Sequence, residues 1–503
     1  MLHNIKNISL TALAALLICS CSGFLDEKTN GQVSDNSLLT QNGLESALTG
    51  SYTGLHSPWS MGFGNGTTTQ LTFGGDDIAA PASDANGYQL DTYSVTNSNG
   101  SMGGSWNGCY KAIQGSNQVI DNYENCEGDA SVIKVIAGEA YFIRAFSYFW
   151  LVRLHGRVPI VTSSVYDSEE ANMEPSEISE IYALIEEDLG KAIEMLGDSK
   201  RGGESGRPNK GSAIALLAEV YLQEAGWPLK KDGYYAKAAE EAKLLLDNRA
   251  KYGYDFADSY ATLYKNRDDE ECVTCEDIFP ITGNLSSNNI ILYGDWCMPG
   301  EIGGWDCVMA EIAFFKNFPE GVRKDATFAT EFVSQDGAKT WTWEQLGKKR
   351  PYYKKLMIAG PNMYNYYSSI PIHLLRFTQT ALTYAEAKAR SGGPDALAYE
   401  CLNTIRRRAE LPEYSGLSAS EFADACVQER AWELCGESVR WFDMTRLDMV
   451  ASVIAQREAD QSKWCKDEST DPRDHKVTKT ITEADYFLPI PASEVLLNPN
   501  LGK

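Results

Sequence analysis

Residues 138–161 read GEAYFIRAFSYFWLVRLHGRVPIV. Most of this stretch belongs to a longer pattern, 130–154, in which Val132, Ile136, Ala140, Ile143, Ser147 and Leu151 recur every three or four residues. That spacing lines one face of an α-helix. Small side chains alternate with large ones, with Ala137, Ala140 and Ala145 set against Tyr141, Phe142, Tyr148 and Phe149. The alternation suits helices packed closely in pairs, as in tetratricopeptide-type arrays.

The same periodicity returns further along the chain. Residues 177–196 (EISEIYALIEEDLGKAIEML, with Ser176 as N-cap), 210–225 (KGSAIALLAEVYLQEA) and 234–248 (YYAKAAEEAKLLLDN) each predict a helix. A second helical block is predicted over 377–391, 394–410 and 419–450. No strict repeat of about 34 residues is visible, so the helix pairs form a degenerate array. Between the helical blocks, placed at about 105–250 and 377–450, lie two regions of different character. Residues 56–105 are rich in Gly, Ser, Thr, Asn and aromatics, and residues 265–375 carry Trp296, Trp305, Trp341, Trp343, Tyr352 and Tyr353. Long stretches without helical periodicity are usually functional in a compact protein. The expected fold is mainly α: a helical scaffold bearing two long aromatic-rich loop regions.

The N-terminus has the layout of a bacterial lipoprotein signal. A basic start (Lys6) precedes an apolar run from Ile8 to Ile18 and the sequence Cys19-Ser20-Cys21. The run is shorter than the roughly 20 apolar residues a bilayer span needs, so 1–20 reads as a cleaved export segment. A non-lipidated secretory peptide with an incidental cysteine is the alternative. The small Ser20 directly before Cys21 favours lipidation there, whereas bulky Ile18 precedes Cys19. Cleavage would make Cys21 the first residue of a mature chain running to Lys503, expected to form one binding domain. Stable anchoring takes more than one acyl chain, and a lipoprotein cysteine carries several.

Charge and cysteines narrow the partners. The formal net charge is −24, and removing 1–20 takes away Lys6 and no acid, leaving −25. A polyanion without a basic stripe is repelled by nucleic acid and by anionic lipid. Ten cysteines follow Cys21. Disulfides are allowed in an exported protein but a chain of this length does not need them. Cys272 and Cys275 form a CxxC followed by Cys297 and Cys307, with no nearby His, so free or locally bridged thiols fit better than a four-ligand zinc site. Cys109, Cys401, Cys426 and Cys435 lie in helical patterns and read as small buried residues.

Motifs for catalysis are absent. The five histidines form no HExxH, and there is neither GxSxG nor a phosphate-binding GxxxxGK[ST]. Asp76-Asp77 stands out because it sits in an otherwise uncharged aromatic loop after Gly74-Gly75. It reads either as a turn or as a pair of acceptors for sugar hydroxyls beside aromatic faces. The candidate ligand-binding residues are Trp59, Asp76, Asp77, Tyr88, Trp296 and Trp305, each set among Gly, Ser, Asn or Asp and not in an apolar run. Trp106, Trp150, Trp432 and Trp441 fall on helices and read as core.

Six segments together resemble the SusD/RagB family of outer-membrane nutrient-binding lipoproteins. They are Cys21-Ser22-Gly23-Phe24-Leu25-Asp26; Trp106, Tyr110, Ile113 and Asn117 as W-x3-Y-x2-I-x3-N; 138–161, a helix leading into a G-x-V-P strand; 402–409 (LNTIRRRA); 429–446 (ERAWELCGESVRWFDMTR); and 487–501 (FLPIPASEVLLNPNL). They run in order from residue 21 to 501. The aromatic-rich loops carry no such match, so the resemblance bears on the scaffold more than on a ligand. Within these blocks Glu139, Arg144, Arg440, Trp441 and Asp443 lie among apolar neighbours on helices, where charged groups are expected to be buried in pairs. Pro489, Pro491 and Pro499 fit an extended C-terminal segment laid over the surface.

The resemblance implies a lipid-anchored protein on the extracellular side of the outer membrane, with Asp26-Glu27 fitting the acidic stretch that directs such lipoproteins outward. It implies capture of a glycan, or sometimes a peptide, and delivery to a SusC-type TonB-dependent transporter on which the protein sits as a lid. No cofactor, metal or covalent chemistry is implied. Strong negative charge argues against sulfated or uronic-acid polymers as the glycan. Two other readings stand beside it: a lipid-anchored glycoside hydrolase, with the same aromatics as subsites and two loop carboxylates as catalysts, and a helical-repeat adaptor that binds a protein partner through its helical groove. Reducing-end assays separate the first alternative, and aromatics concentrated in loops and not on helices argue against the second. Cys21→Ala is expected to leave the precursor unprocessed or to release the protein from the membrane fraction. Fatty-acid labelling that persists in this variant overturns the assignment.

Overall fold

The computed structural model describes residues 35–56, 63, 69, 71–165, 172–264, 273–283, 293–357, 371–464, 477 and 479–502. Cys21, Trp59 and Cys272 lie outside the described residues. The longer helices described in the first half of the chain are α1 Gln41–His56, α2 Ala85–Asp91, α3 Gly100–Asn122, α4 Ala130–His155, α5 Ile178–Met195, α6 Lys210–Glu224 and α7 Tyr234–Asp247. Seven more follow among those labelled here: α8 Ile312–Asn317, α9 Val322–Thr327, α10 Phe377–Gly392, α11 Ala396–Arg408, α12 Ala419–Glu433, α13 Arg440–Arg446 and α14 Val450–Trp464. The long helices pack on one another in sequence, α1 and α4 flanking α3, then α5, α6 and α7. Helix α7 packs against α10, which also carries α11 and α12, so the two helical blocks are in direct contact.

Helix α4 is long and apolar enough to span a membrane, yet its apolar stretch is buried inside the protein. From Ile136 to His155 it is covered on nearly every side, so it is the central helix of the stack and not a one-faced surface helix. Each fully buried Leu, Ile or Phe along it contributes about 1.5–3 kcal/mol relative to exposure. Gly138 permits the close approach of α5: a Cβ there would lie 2.9 Å from the Met195 side chain and 3.2 Å from the Leu196 backbone nitrogen. Polar groups fix the pairing. Arg144 donates two bonds to Asp188 on α5 (2.8 and 2.7 Å) and one to Asn117 on α3 (2.9 Å). Asn117 in turn donates to the carbonyls of Val161 and Ser163, and Tyr148 donates to Val161 O and accepts from Val161 N–H. The Val158–Val161 segment after α4 is held by these bonds and by Tyr110 donating to Pro159 O (2.9 Å). The C-terminal segment closes over the same helix end, with Leu488 N–H donating to Leu154 O (2.7 Å).

Two expected helices differ in detail. Helix α5 is capped by Glu177, not Ser176, in a reciprocal box with Glu180. The helix expected over 419–450 breaks at residues 434–439, giving α12 and α13, with a further break before α14. Gly436 (φ +74°) and Ser438 (φ +62°) adopt left-handed backbone there. The expected loop region 265–375 contains short antiparallel ladders. Strand β1 (Ile78–Ala79) pairs with β3 (Met309–Ala310), β2 (Asp277–Ile281) with β8 (Ile372–Arg376), β4 (Phe328–Ala329) with β7 (Tyr352–Tyr353), and β5 (Glu331–Val333) with β6 (Thr340–Thr342).

Ion pairs fasten these ladders to the helices. Glu433 on α12 accepts from Arg408 (2.8 Å), Tyr260 (2.8 Å) and Arg323 (3.2 Å) and lies 3.6 Å from Arg376. Arg376, at the end of β8, also donates to Glu276 (2.7 Å) and Glu437 (2.8 Å). Arg323 and Arg406 meet on Glu429 at 2.6 and 2.8 Å. Burial alone would raise the Glu433 carboxyl, but Arg408, Arg376 and Arg323 hold it below the ordinary carboxylate range.

The β1–β3 ladder forms an arm anchored at one end by Asp76 and Asp77. Asp76 takes two bonds from Arg440 on α13 (2.6 and 3.0 Å). Asp77 is buried, and its carboxylate accepts from Gly436 N–H (2.8 Å) while its carbonyl accepts from Tyr353 OH (2.6 Å) and Glu311 N–H (3.0 Å). The break between α12 and α13 therefore supplies an amide to the arm. Asp77 serves structure and does not present its carboxylate to a ligand, because burial and the Gly436 bond remove it from the surface.

Two outcomes are expected. Removing one partner from a buried charge cluster leaves others uncompensated, so Glu433→Ala should lower unfolding stability in urea by about 3–5 kcal/mol. Glu413→Ala, which breaks an exposed pair with Arg407, should cost less than about 1 kcal/mol. Burial and the neighbouring Asp76 push the Asp77 carboxyl up to about 6, against the Gly436 amide and Arg440. The folded state thus favours the protonated form. That contribution is complete below the unfolded value near 3.8 and is lost as pH rises through about 6. At neutral pH the loss is about 3 kcal/mol, at roughly 1.4 kcal/mol per tenfold. Asp77→Asn keeps an acceptor for Gly436 but does not titrate, so its melting temperature relative to the parent should rise between pH 4 and 7. A constant difference across that range contradicts the assignment.

Candidate functional site

The antiparallel register Ile78↔Ala310 and Ala79↔Met309 sets which residues share each end of the arm. The chain entering β1 (Asp76-Asp77) lies beside the chain leaving β3 (Glu311 onward). At the far end, the residues leaving β1 (Ala80–Asp84) lie beside those entering β3 (Trp305–Val308), which is where the Asp84 charge reaches the Cys307 thiol.

That far end carries Trp296 and Trp305. Residues 295–308 form a closed loop. Trp305 N–H donates to Asp295 O (2.9 Å), Asp306 N–H to Met298 O (3.0 Å), and the amides of Cys307 and Val308 to Trp296 O (3.0 and 2.8 Å). Gly304 is required by the close approach of the two sides, since a Cβ there would lie 2.2 Å from Met298 O. The Asp306 carboxylate accepts from Gly300 N–H (3.0 Å) and from Tyr352 OH, which pins the loop to β7. The ring centroids of Trp296 and Trp305 are 5.9 Å apart with planes inclined at 53°. Trp296 is half-buried, and Trp305 is 44% exposed on a loop of fixed shape.

Polar groups lie on the segments joined to this loop. Lys348 donates to Ser83 Oγ (2.8 Å), joining the 344–350 segment to the start of α2, and Glu301 accepts from Gly347 N–H (2.7 Å). Asp84 caps α2 by accepting from Gly87 N–H (3.3 Å), and Tyr88 stands half-buried one turn further along that helix. Asp295 is 1% exposed, and burial pushes its carboxyl up to about 7. That value suits a general acid, but a carboxyl so enclosed cannot reach a glycosidic oxygen. The surface therefore offers an exposed ring with hydroxyl, ammonium and carboxylate groups on the segments around it; the half-buried Asp306 carboxyl is also raised by burial, and it is engaged by Gly300 N–H and Tyr352 OH.

The predicted residues are thus distributed unevenly. Trp296 and Trp305 come together, and the helix bearing Tyr88 begins beside them. Asp76 and Asp77 lie at the opposite end of the arm, and Trp59 is outside the described residues. Ser83, Glu301, Asp306 and Lys348 were not anticipated. Gly303-Gly304 before Trp305-Asp306 was a readable sign of a tight loop, but nothing local marks Lys348 or Ser83. Trp106, Trp150 and Trp441 are core, as expected, whereas Trp432 is half-buried and borders a cavity.

Comparison with known proteins agrees with this architecture. Residues 324–503 match the model of the SusD family, and residues 23–222 match one described as "Starch-binding associating with outer membrane". SusD-like protein P2 of Formosa agariphila is 26% identical over 534 residues, covering 99% of this chain and 98% of the relative. The crystal structure of a SusD superfamily protein from Parabacteroides distasonis superposes with a TM-score of 0.77 at 23% identity, over 91% of this chain and 98% of that one. Surface glycan-binding protein A from Bacteroides thetaiotaomicron, solved in complex with laminarihexaose, superposes with a TM-score of 0.73 at 18% identity, over 92% and 98%. With two family models matched in order, relatives aligned along nearly their full length and a shared helical fold, the chain belongs to the SusD/RagB family.

Proposed function

We propose that this protein is a surface lipoprotein of the outer membrane that binds a glycan without turning it over and passes it to a SusC-type TonB-dependent transporter. The observation that carries the reading is Trp305, an exposed indole on a loop locked by its own backbone bonds and paired with Trp296. An indole face stacks on the C–H face of a sugar ring, and Ser83, Glu301 and Lys348, on the segments around the loop, would supply polar partners for its hydroxyls. The family description that associates its members with the outer membrane supports the location, and the laminarihexaose complex of a protein of the same fold supports the ligand class. The lipid anchor would be carried by Cys21.

Affinity gels loaded with neutral polysaccharides, followed by calorimetry on soluble protein lacking residues 1–21, test this reading. Trp305→Ala should fold normally by circular dichroism and weaken binding about thirtyfold, the equivalent of about 2 kcal/mol at an interface hot spot. New reducing ends released at enzymatic rates, or full affinity in Trp305→Ala and Trp296→Ala alike, would overturn it. Cross-linking in intact membranes should capture a β-barrel transporter.

A further inference from the structure

At the opposite end of the β1–β3 arm lies a cavity of about 310 Å³, bordered by α8, α12, α13 and α14. Its size is at the small end of ligand pockets, which run to about 300–1,000 Å³. We infer that this cavity is a second carbohydrate subsite that takes one uncharged hexopyranose unit, separate from the Trp296–Trp305 surface.

The lining carries the assignment. Phe314, Trp432, Met449 and Val453 give it an apolar wall. Trp432 already meets the Phe318 ring edge (6.5 Å) and the Arg323 guanidinium (5.8 Å), so its ring is held in place where it borders the cavity. Gln428 on α12 and Gln456 on α14 also border it, both exposed. Neither amide has a hydrogen-bond partner among the described residues, so each offers a free donor and a free acceptor. Asp460 uses one oxygen to accept from Asn317 (2.7 Å) and keeps the other.

Charge selects the ligand class. The two cations in the wall are already matched, Arg440 by Asp76 and Arg457 by Asp91 (3.0 Å), and Asp460 leaves the site with negative charge in excess. Phosphate, sulfate and uronate are therefore disfavoured. A neutral sugar ring fits, with its C–H face against aromatic carbon and its hydroxyls on the amides and Asp460.

The arm fixes the relation of the two sites. Asp76 and Phe314 flank one end, Ser83 and Trp305 the other. Phe314 follows Trp305 by nine positions, so the chain between them spans at most about 30 Å at roughly 3.3 Å per residue. A single glycan of several units could engage both, and each site would raise the effective concentration of the chain at the other. This inference rests on the glycan-binding reading above.

Saturation-transfer NMR with the methyl pyranosides of glucose, galactose and mannose tests the cavity by itself. Trp305→Ala should still transfer saturation to at least one of them, and adding Val453→Trp, which fills the cavity from α14, should abolish it. If Val453→Trp fails to fold, the exposed pair Gln428→Ala/Gln456→Ala in the Trp305→Ala background should abolish the same signal. Loss of all transfer in Trp305→Ala alone, persistence after the cavity is filled or the two amides are removed, or no transfer from any variant or from the parent would each overturn the cavity site. Retention of polysaccharide on gels that depends on Trp305 would then leave the first reading standing.

Discussion

The buried charge cluster centred on Glu433 is the constraint on which the architecture depends. Five cations, Arg323, Lys355, Arg376, Arg406 and Arg408, surround the carboxylates of Glu276, Glu429, Glu433 and Glu437. They come from the residue just before β2, from α9, β8, α11 and α12, and from the segments at 354–356 and 434–439. Such a cluster is weak evidence for net stability, since desolvation offsets much of the attraction. Its effect is geometric. Each guanidinium presents donors in a rigid fork, so only one arrangement of the surrounding elements satisfies several carboxylates together. The helical stack from α10 to α12 and the β2–β8 ladder are thereby held in one relative position. A second cluster, in which Arg430 and Arg446 bind Glu219, Glu386 and Asp443, extends the same logic to α6 and α13.

The aromatic surface inherits its position from this base through few connections. Asp76 and Asp77 tie the start of the β1–β3 arm to Arg440 and Gly436, while Tyr352 and Lys348 tie its far end to neighbouring segments. The loop that bears Trp305 is otherwise shaped by its own backbone. Scaffold and surface are therefore separable in physical terms, the one held by buried charge and dense helix packing, the other by local hydrogen bonds.

That separation explains what the sequence made legible. Helices α4 to α7, α10 and α11 were readable because their apolar positions repeat at helical spacing over several turns. Helix α1 carries the same signal in Leu44, Leu48 and Leu55, but more weakly, beside a polar loop. The division of 419–450 into α12 and α13 was hard to read, because the break at Gly436 is held in part by Asp77, far away in the chain, which takes the Gly436 amide. Asp76 and Asp77 looked like surface acceptors for the same reason: their partners come from the other end of the sequence. Trp305 was legible from its Gly and Asp neighbours, whereas Lys348 and Ser83 meet only through the tertiary fold. Trp432 shows the limit of assigning tryptophans by helix membership, since a helix can present one edge of a ring to a cavity.

Gly304 has a consequence for the thermodynamics of contact at Trp305. With both sides of the loop bonded to each other and Tyr352 holding Asp306, the indole is displayed without a conformational search. A partner laid on it meets a surface already ordered, so association forfeits little chain entropy.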